Sequence, residues 1–255
     1  MLEKAFGDWS GAGGSSERST AIAIPVPQTH DGLRVYLIHR DSAVQTVIRF
    51  AAPAPAPSDP SRIKLEVLET IFGGTFTSRL NRNIREEHGY SYGARAGYSL
   101  MRGAGYFAAS SSVKSDVTGA ALGEFIKEFG RLRGGPIGAT FVVQPRGDIT
   151  DAEIGKAVQT IQSDTAQAFQ GHAGPMNAAA ARIVQGLGYS AIAEDLAALA
   201  SISAADVNLM ARDATPLERG VLLLVGDRAV ILEQIKDLDL PAAVELTATG
   251  EPVKR

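Results

Sequence analysis

Residues 72–93 read FGGTFTSRLNRNIREEHGYSYG, and this stretch predicts two successive helices followed by a strand. The Gly-Gly pair at 73–74 ends a helix that comes before it. Leu80 and Ile84 are four residues apart, so they share the buried side of a second, short helix. Gly89 supplies a C-terminal stop for that helix. Its three arginines are expected on the other faces, at Arg79, Arg82 and Arg85.

The residues after this stop alternate in character, which predicts a strand from Tyr90 to Leu100. One face of that strand is expected to carry Tyr90, Tyr92, Ala94, Ala96, Tyr98 and Leu100. Small residues at 103–105 turn the chain into a second strand, Tyr106 to Val113. These two strands are predicted to form a hairpin.

The rest of the pattern predicts strands near the start and mainly helices towards the end. Leu33–His39 and Val44–Phe50 are rich in β-branched residues and only four residues apart, which predicts a hairpin. Thr150–Glu153 is a capping box that opens a helix, and Gly220–Val225 fits a buried strand. The predicted fold class is α+β, an antiparallel sheet with helices packed on one face. The role of the Gly134–Gly147 loop stays open.

Composition excludes several kinds of chemistry. The chain has 255 residues and a net charge of -3 with both signs interspersed, so neither nucleic acid nor an anionic membrane is expected as a partner. The absence of cysteine excludes disulfides, thiolate catalysis and Cys-containing zinc sites. No apolar run approaches the roughly 20 residues that a transmembrane helix needs.

The first residues predict a boundary. Leu2, Phe6 and Trp9 have the spacing of the last turns of an amphipathic helix, and a Gly- and Ser-rich linker follows at once, from Ser10 to Ser19. We therefore expect residues 1–19 to be the end of a preceding domain with its linker, and residues 20–255 to be a single domain. A short N-terminal helix docked on this domain is the alternative.

Neither a metal site nor a nucleophile is indicated. A zinc site on a helix needs two ligands on one face, three to five residues apart. No two of the four histidines have that spacing, since they lie at His30, His39, His88 and His172. The string GYSYG at 89–93 has the GxSxG spacing, but it leads from a predicted helix into a strand, whereas a nucleophile elbow leads from a strand into a helix, so no such elbow is indicated. The glycines at 73–74 precede a helix N-terminus, as in a phosphate-binding loop, but the Gly-Lys-Ser/Thr ending is missing. A tight turn is the favoured interpretation and nucleotide binding the weaker one.

Arg85 and Tyr92 are the candidate functional residues. They come from adjacent rigid elements, and guanidinium and phenol groups both donate hydrogen bonds. Together they can hold a substrate carbonyl and stabilise the negative charge that develops on its oxygen during hydrolysis. The alternatives are that Arg85 pairs with Glu86 or Glu87 on the surface, and that Tyr92 is one more packed aromatic residue.

The order of these residues adds a resemblance. The segment GGTFTSRLNRNIREEHGYSYGA resembles the stretch of pitrilysin/insulinase-type (M16) zinc proteases that reads roughly GGxFSSRL…IREexGxxYG. LEKAFGDW is similar to the end of the preceding domain in that family, and AVQTVIRF to its second strand. ITDAEIGKA is similar to a late capping-box helix, and VLLLVGD to its last core strand. The matches occur in the family's order.

The resemblance implies an M16, LuxS-like metallohydrolase-type α/β roll in a protein of tandem domains that close around a chamber. One half of such a protein carries HxxEH and zinc, and the other contributes an Arg and a Tyr that match Arg85 and Tyr92. This chain has no HxxEH, so the resemblance assigns it to the non-zinc half, inactive alone and without a cofactor of its own. Zinc is then expected in the partner domain. The Tyr98–Ser112 region is expected near a sheet edge where peptides add as a strand.

The implied partners are an HxxEH-bearing M16 domain or subunit and a peptide substrate, in a homo- or heterodimer. The implied location is the periplasm or cytoplasm of a bacterium, as a soluble protein. The alternative function is a non-enzymatic scaffold or peptide-binding subunit of the same fold. The peptide, the oligomeric state, the compartment and the presence of HxxEH in the full-length protein stay open.

Overall fold

The structure is a computed structural model, which describes Lys4 and residues 31–56, 58–101, 104–135 and 147–253. The expected domain end and linker at 1–19 lie outside the described residues, apart from Lys4. Most of the Gly134–Gly147 loop lies outside them as well.

The described residues form one six-stranded sheet in the order β3-β4-β2-β5-β1-β6. Its strands are β1 (Arg34–His39), β2 (Gln45–Ala54), β3 (Ser91–Met101), β4 (Ala104–Lys114), β5 (Val221–Gly226) and β6 (Val244–Leu246). β3, β4, β2 and β5 pair antiparallel in turn, whereas β1 runs parallel to both β5 and β6. The α+β class is therefore confirmed, but the sheet is mixed rather than purely antiparallel.

The predicted hairpin of the first two strands is wrong, because β5 lies between them. Leu37 of β1 pairs with Leu224, and Phe50 of β2 pairs with Leu222 on the other side of the same strand. An almost wholly apolar strand such as β5 is most stable in the centre of a sheet, where neighbouring strands cover it. The β1–β2 connection crosses the end of β5, where the Arg40 amide donates to the Gly226 carbonyl at 2.8 Å.

The helices are α1 (Arg62–Glu69), α2 (Arg79–Asn81), α3 (Thr118–Arg133), α4 (Asp151–Ala168), α5 (Gly174–Gln185), α6 (Ala191–Leu199), α7 (Ala204–Ala214) and α8 (Arg228–Ile235). α1 continues as a π-helical turn, Thr70–Gly74, and α2 as another, Arg82–Glu87. The capping box predicted at Thr150 opens α4 as expected. Within the described ranges, no helix is both long and apolar enough to cross a membrane.

The core lies between the helices and one face of the sheet. On β2, Ile48 and Phe50 are fully buried while the intervening Arg49 is exposed. Phe129 of α3 is central, with its ring centroid 5.1 Å from that of Phe50 and 5.0 Å from that of Phe72. Each such buried side chain contributes roughly 1.5–3 kcal/mol of transfer free energy. This core fixes the position of β3 and of the helical segments beside it.

Candidate active-site groove

The π-helical turn at the end of α1 packs against β3 at a glycine. A Cβ added to Gly73 would lie 2.2 Å from the backbone nitrogen of Ala96, which is far inside contact distance. Glycine is therefore required for this close approach of helix and strand. Packing accounts for the glycine without a phosphate ligand, which supports the tight-turn interpretation of residues 73–74.

A groove of about 690 Å³ follows the edge of β3 that faces away from β4. We call it the edge groove, and it is lined by Glu69, Gly73, Gly74, Thr75, Phe76, Asn81 and residues 92–97. Two β3 amides beside it donate to side chains. The Ala94 amide donates to Asn81 Oδ1 and the Tyr98 amide donates to Glu69 Oε2, each at 3.0 Å.

These two bonds bear on the expectation that a peptide adds as a strand near Tyr98–Ser112. β4 is paired on both sides, by β3 and by β2, so it offers no open edge. On β3, the amides of Ala94 and Tyr98 already have intramolecular acceptors. Such side-chain protection is a common way to keep an edge strand from pairing with another chain. A peptide strand at these two positions would first have to displace Asn81 and Glu69.

Tyr92 projects from β3 because the strand bulges there. Ser91 pairs with Val113 and Ala94 with Ser111, so two residues of β3 occupy the space opposite one residue of β4. The Ser91 hydroxyl donates to the Ser112 carbonyl at 2.7 Å and accepts from the Gly93 amide at 3.1 Å. The expectation that Tyr92 shares a face with Ala94 is wrong, because the extra residue of a bulge interrupts the alternation. Ala94 is buried, whereas Tyr92 is 94% exposed.

Arg85 lies in the last turn of the π-helical segment Arg82–Glu87 and is half-buried. Its guanidinium carbon is 4.2 Å from the centroid of the Phe76 ring, within the range of a cation–π interaction. Among the described residues, no carboxylate pairs with Arg85. Glu87 pairs instead with Arg82, at 3.2 Å.

The structure thus places one of the two predicted residues in the lining of the edge groove and the other behind a residue of that lining. Tyr92 lines it directly, and Arg85 lies against Phe76, which lines it as well. Neither the exposed phenol of Tyr92 nor the guanidinium of Arg85 is bonded to a protein acceptor in the described part of the chain. Both groups can therefore donate to an oxygen of a bound molecule.

Arg79 anchors the helix that carries Arg85. We call Arg79–Glu87, which is α2 with its π-helical continuation, the site helix. Arg79 is buried, and its Nε donates to Glu153 Oε1 at 2.6 Å while another nitrogen pairs with Asp148. The sequence predicts Arg79 on a face other than that of Leu80 and Ile84, and its face is buried because α4 and the residues before it cover it. Burial acts to raise the pKa of Glu153, but hydrogen bonds from Arg79 and Thr150 outweigh it and lower that pKa to about 2.

Two buried asparagines of the site helix were not identified from the sequence. Asn81 and Asn83 are 5% and 4% exposed. Asn83 Nδ2 donates to Glu124 and Glu128 of α3, at 2.9 and 3.1 Å. Asn81 bonds to backbone atoms on the groove side. A polar residue in a short helix is ordinarily expected on the exposed face of that helix. Asn81 and Asn83 are identified as buried only by their hydrogen-bond partners, several of which lie in distant segments of the chain.

Within the described ranges, no group of three or more metal-ligating side chains is placed to hold a metal ion. The histidine nearest the groove, His88, stacks on Tyr90 with ring centroids 5.0 Å apart and lies 3.6 Å from Glu124. The described residues therefore do not fit a zinc ion.

The family model of the peptidase M16 inactive domain matches residues 1–140, more than half of the chain. The chain belongs to the family of peptidase M16 inactive domains. Solved structures agree in fold. A peptidase M16 inactive domain from Pseudomonas fluorescens aligns with a TM-score of 0.66 and 19% identity, over 79% of this chain and 45% of that one.

Two further solved structures are also similar to this chain in fold. A protease from Helicobacter pylori aligns with a TM-score of 0.63 and 14% identity, over 80% of this chain and 47% of that one. The periplasmic protease PqqL from Escherichia coli aligns with a TM-score of 0.58 and 12% identity, over 78% of this chain and 21% of that one. The chain thus spans less than half the length of each of these three structures. A comparison with curated protein sequences gave no match.

Proposed function

We propose that this M16 inactive domain provides Arg85 and Tyr92 to the active site of a zinc peptidase whose metal is held by another, HxxEH-bearing domain or subunit. The observation that carries the proposal is the bulge in β3. It turns Tyr92 out of the sheet, 94% exposed, at a groove that Phe76 also lines, and Arg85 lies against the Phe76 ring. An exposed tyrosine held at a bulge has no packing role, and bulges often re-aim a side chain beside an active site.

In this proposal the peptide lies between the edge groove and the metal-bearing partner. The partner's zinc would supply an activated water as the nucleophile. Negative charge then develops on the oxygen of the scissile carbonyl, and Arg85 and Tyr92 donate to it. The contact with Phe76 restricts the orientation of the Arg85 guanidinium. In this proposal the domain alone would be inactive, because the HxxEH motif belongs to the partner.

The test is turnover by the assembled enzyme. Tyr92→Phe removes one directed donor and leaves the ring, so kcat should fall by roughly 10²–10³-fold, as when one oxyanion donor is lost, while assembly is unchanged. Tyr189→Phe is the matched control, because Tyr189 is also exposed but lies on the far side of α4, away from the edge groove. Its kcat should equal that of the wild type.

Wild-type turnover by Tyr92→Phe would refute the proposal. An assembled protein that binds peptides and leaves them uncleaved would favour the alternative function, a scaffold or peptide-binding subunit. Both outcomes can be read from one preparation by measuring peptide binding and cleavage in parallel.

A further inference from the structure

Beyond the two donors, one buried amide joins the elements that carry them. We propose that Asn81 is a positioning residue, which fixes the bulge that carries Tyr92 relative to the segment that carries Phe76 and Arg85. This inference rests on the proposed function, since it concerns the placement of the same two donors.

The hydrogen bonds of Asn81 reach both elements. Its Nδ2 donates to the Phe76 carbonyl at 2.6 Å, and its Oδ1 accepts from the Ala94 amide at 3.0 Å. Phe76 carries the ring on which the Arg85 guanidinium lies, and Ala94 is the residue at which regular pairing resumes after Tyr92. A single side chain therefore bridges the two halves of the site.

Asn81 also lies close to the bulge itself. A Cβ added to Gly93 would lie 3.3 Å from Asn81 Oδ1, so the amide rests closely against the backbone next to Tyr92. Asparagine is suited to this place because it has a donor and an acceptor on one short side chain. Aspartate keeps only the acceptor, and alanine keeps neither.

The bulge itself does not depend on Asn81. On the side of β4 it is held by the hydroxyls of Ser91 and Ser111, the latter donating to the Gly93 carbonyl at 2.8 Å. Loss of Asn81 should therefore leave the bulge formed and release only its tie to the site helix. In such a variant Tyr92 should stay exposed, while its position relative to the site helix is no longer fixed.

Asn83 provides a matched control on the same helix. It has the same amide and almost the same burial, but its partners are Glu124 and Glu128 of α3, away from the edge groove. Asn81→Ala and Asn83→Ala should therefore lower the thermal unfolding midpoint to a similar extent, because each leaves buried polar groups unpaired. Only Asn81→Ala should disturb the placement of the two donors.

The experiment measures kcat and KM of the assembled enzyme for Asn81→Ala, Asn83→Ala, Tyr92→Phe and the double variant Asn81→Ala/Tyr92→Phe. We expect Asn81→Ala to lower kcat by about 10- to 100-fold with KM unchanged, since small misplacements of catalytic groups have effects of this order. Asn83→Ala should keep wild-type kcat. In the Tyr92→Phe background, Asn81→Ala should cause a much smaller further loss, because it acts through a donor that is already missing.

Asn81→Ser is a second variant in case Asn81→Ala does not fold. Its short hydroxyl adds no buried charge and can replace at most part of the bridge, so kcat should fall by no more than in Asn81→Ala and still below the value for Asn83→Ala. If both Asn81 variants lose no more kcat than Asn83→Ala, the inference is wrong even where Tyr92→Phe is slow. If Tyr92→Phe itself turns over like the wild type, the proposed function fails, and the inference with it.

Discussion

The two sides of the site helix are built in opposite ways. On the side that faces α3 and α4, Arg79 and Asn83 are buried, and both bond to carboxylates of neighbouring segments. Towards Phe76, a residue of the edge groove, Arg85 pairs with no carboxylate of the described residues, and Tyr92 in the lining of the same groove is almost fully exposed. The same nine-residue stretch therefore contains both anchored and unengaged donors.

This difference has a simple energetic reason. A buried cation or amide that lacks a partner costs several kcal/mol. On the anchored side, Arg79 and the amide nitrogen of Asn83 are therefore paired with carboxylates, although Asn83 Oδ1 has no hydrogen-bond partner among the described residues. An exposed donor bonds to water at little cost and can exchange that water for a ligand. The comparison therefore predicts that substitutions of the buried, paired residues change stability, whereas substitutions of the unengaged donors Arg85 and Tyr92 change function and leave stability almost unchanged.

The largest change in stability is expected on the anchored side. Arg79→Met removes the cation that Asp148 and Glu153 share and should lower the free energy of unfolding by about 3 kcal/mol. This is near the lower end for a broken buried pair, because both carboxylates retain some solvent contact and Asp148 keeps its ion pair with Arg131. The control is Arg82→Met on the same helix, whose exposed pair with Glu87 is worth roughly 0–1 kcal/mol. Urea unfolding of the chain measures both, and equal losses would contradict the comparison.

A smaller change in the free energy of unfolding is expected when the pH is lowered. The folded-state pKa of Glu153 is held at about 2, below the ordinary 4.5, so its ionised form stabilises the fold at neutral pH. That stabilisation is complete above the ordinary pKa and is lost as the pH falls from 4.5 towards 2. Unfolding measured across this range should show the wild type and Arg79→Met converging as the pH decreases. A constant difference between them would mean that Glu153 is not the group responsible.

The smallest effect on stability belongs to the groove side. Tyr92→Phe should change the free energy of unfolding by less than about 0.5 kcal/mol, as expected of an exposed residue outside any network. The same unfolding measurement checks it. A loss of more than 1 kcal/mol, on the order of a buried hydrogen bond, would show that the phenol has a structural partner and belongs with the anchored side.

Local sequence patterns predicted much of the fold. The stop at Gly89 has the left-handed φ of +64° that favours glycine, and the capping box at Thr150 opens α4. Such features depend on residues within one turn of each other, so they can be predicted from the sequence alone. The order of the strands could not be predicted in this way, because β5 enters between β1 and β2 from about 180 residues further along the chain.

The sequence by itself determined the α+β class, the family resemblance and the identity of Arg85 and Tyr92 as candidates, because these depend on residue type and local order. Only the tertiary structure decided how the candidates are presented. Pairing with β4 created the bulge that exposes Tyr92, and α4 buried Arg79 beneath the site helix. Asn81 gained its partners from two separate segments. Contacts of this kind join elements whose relative position is fixed by packing, and no local pattern in the sequence contains that information.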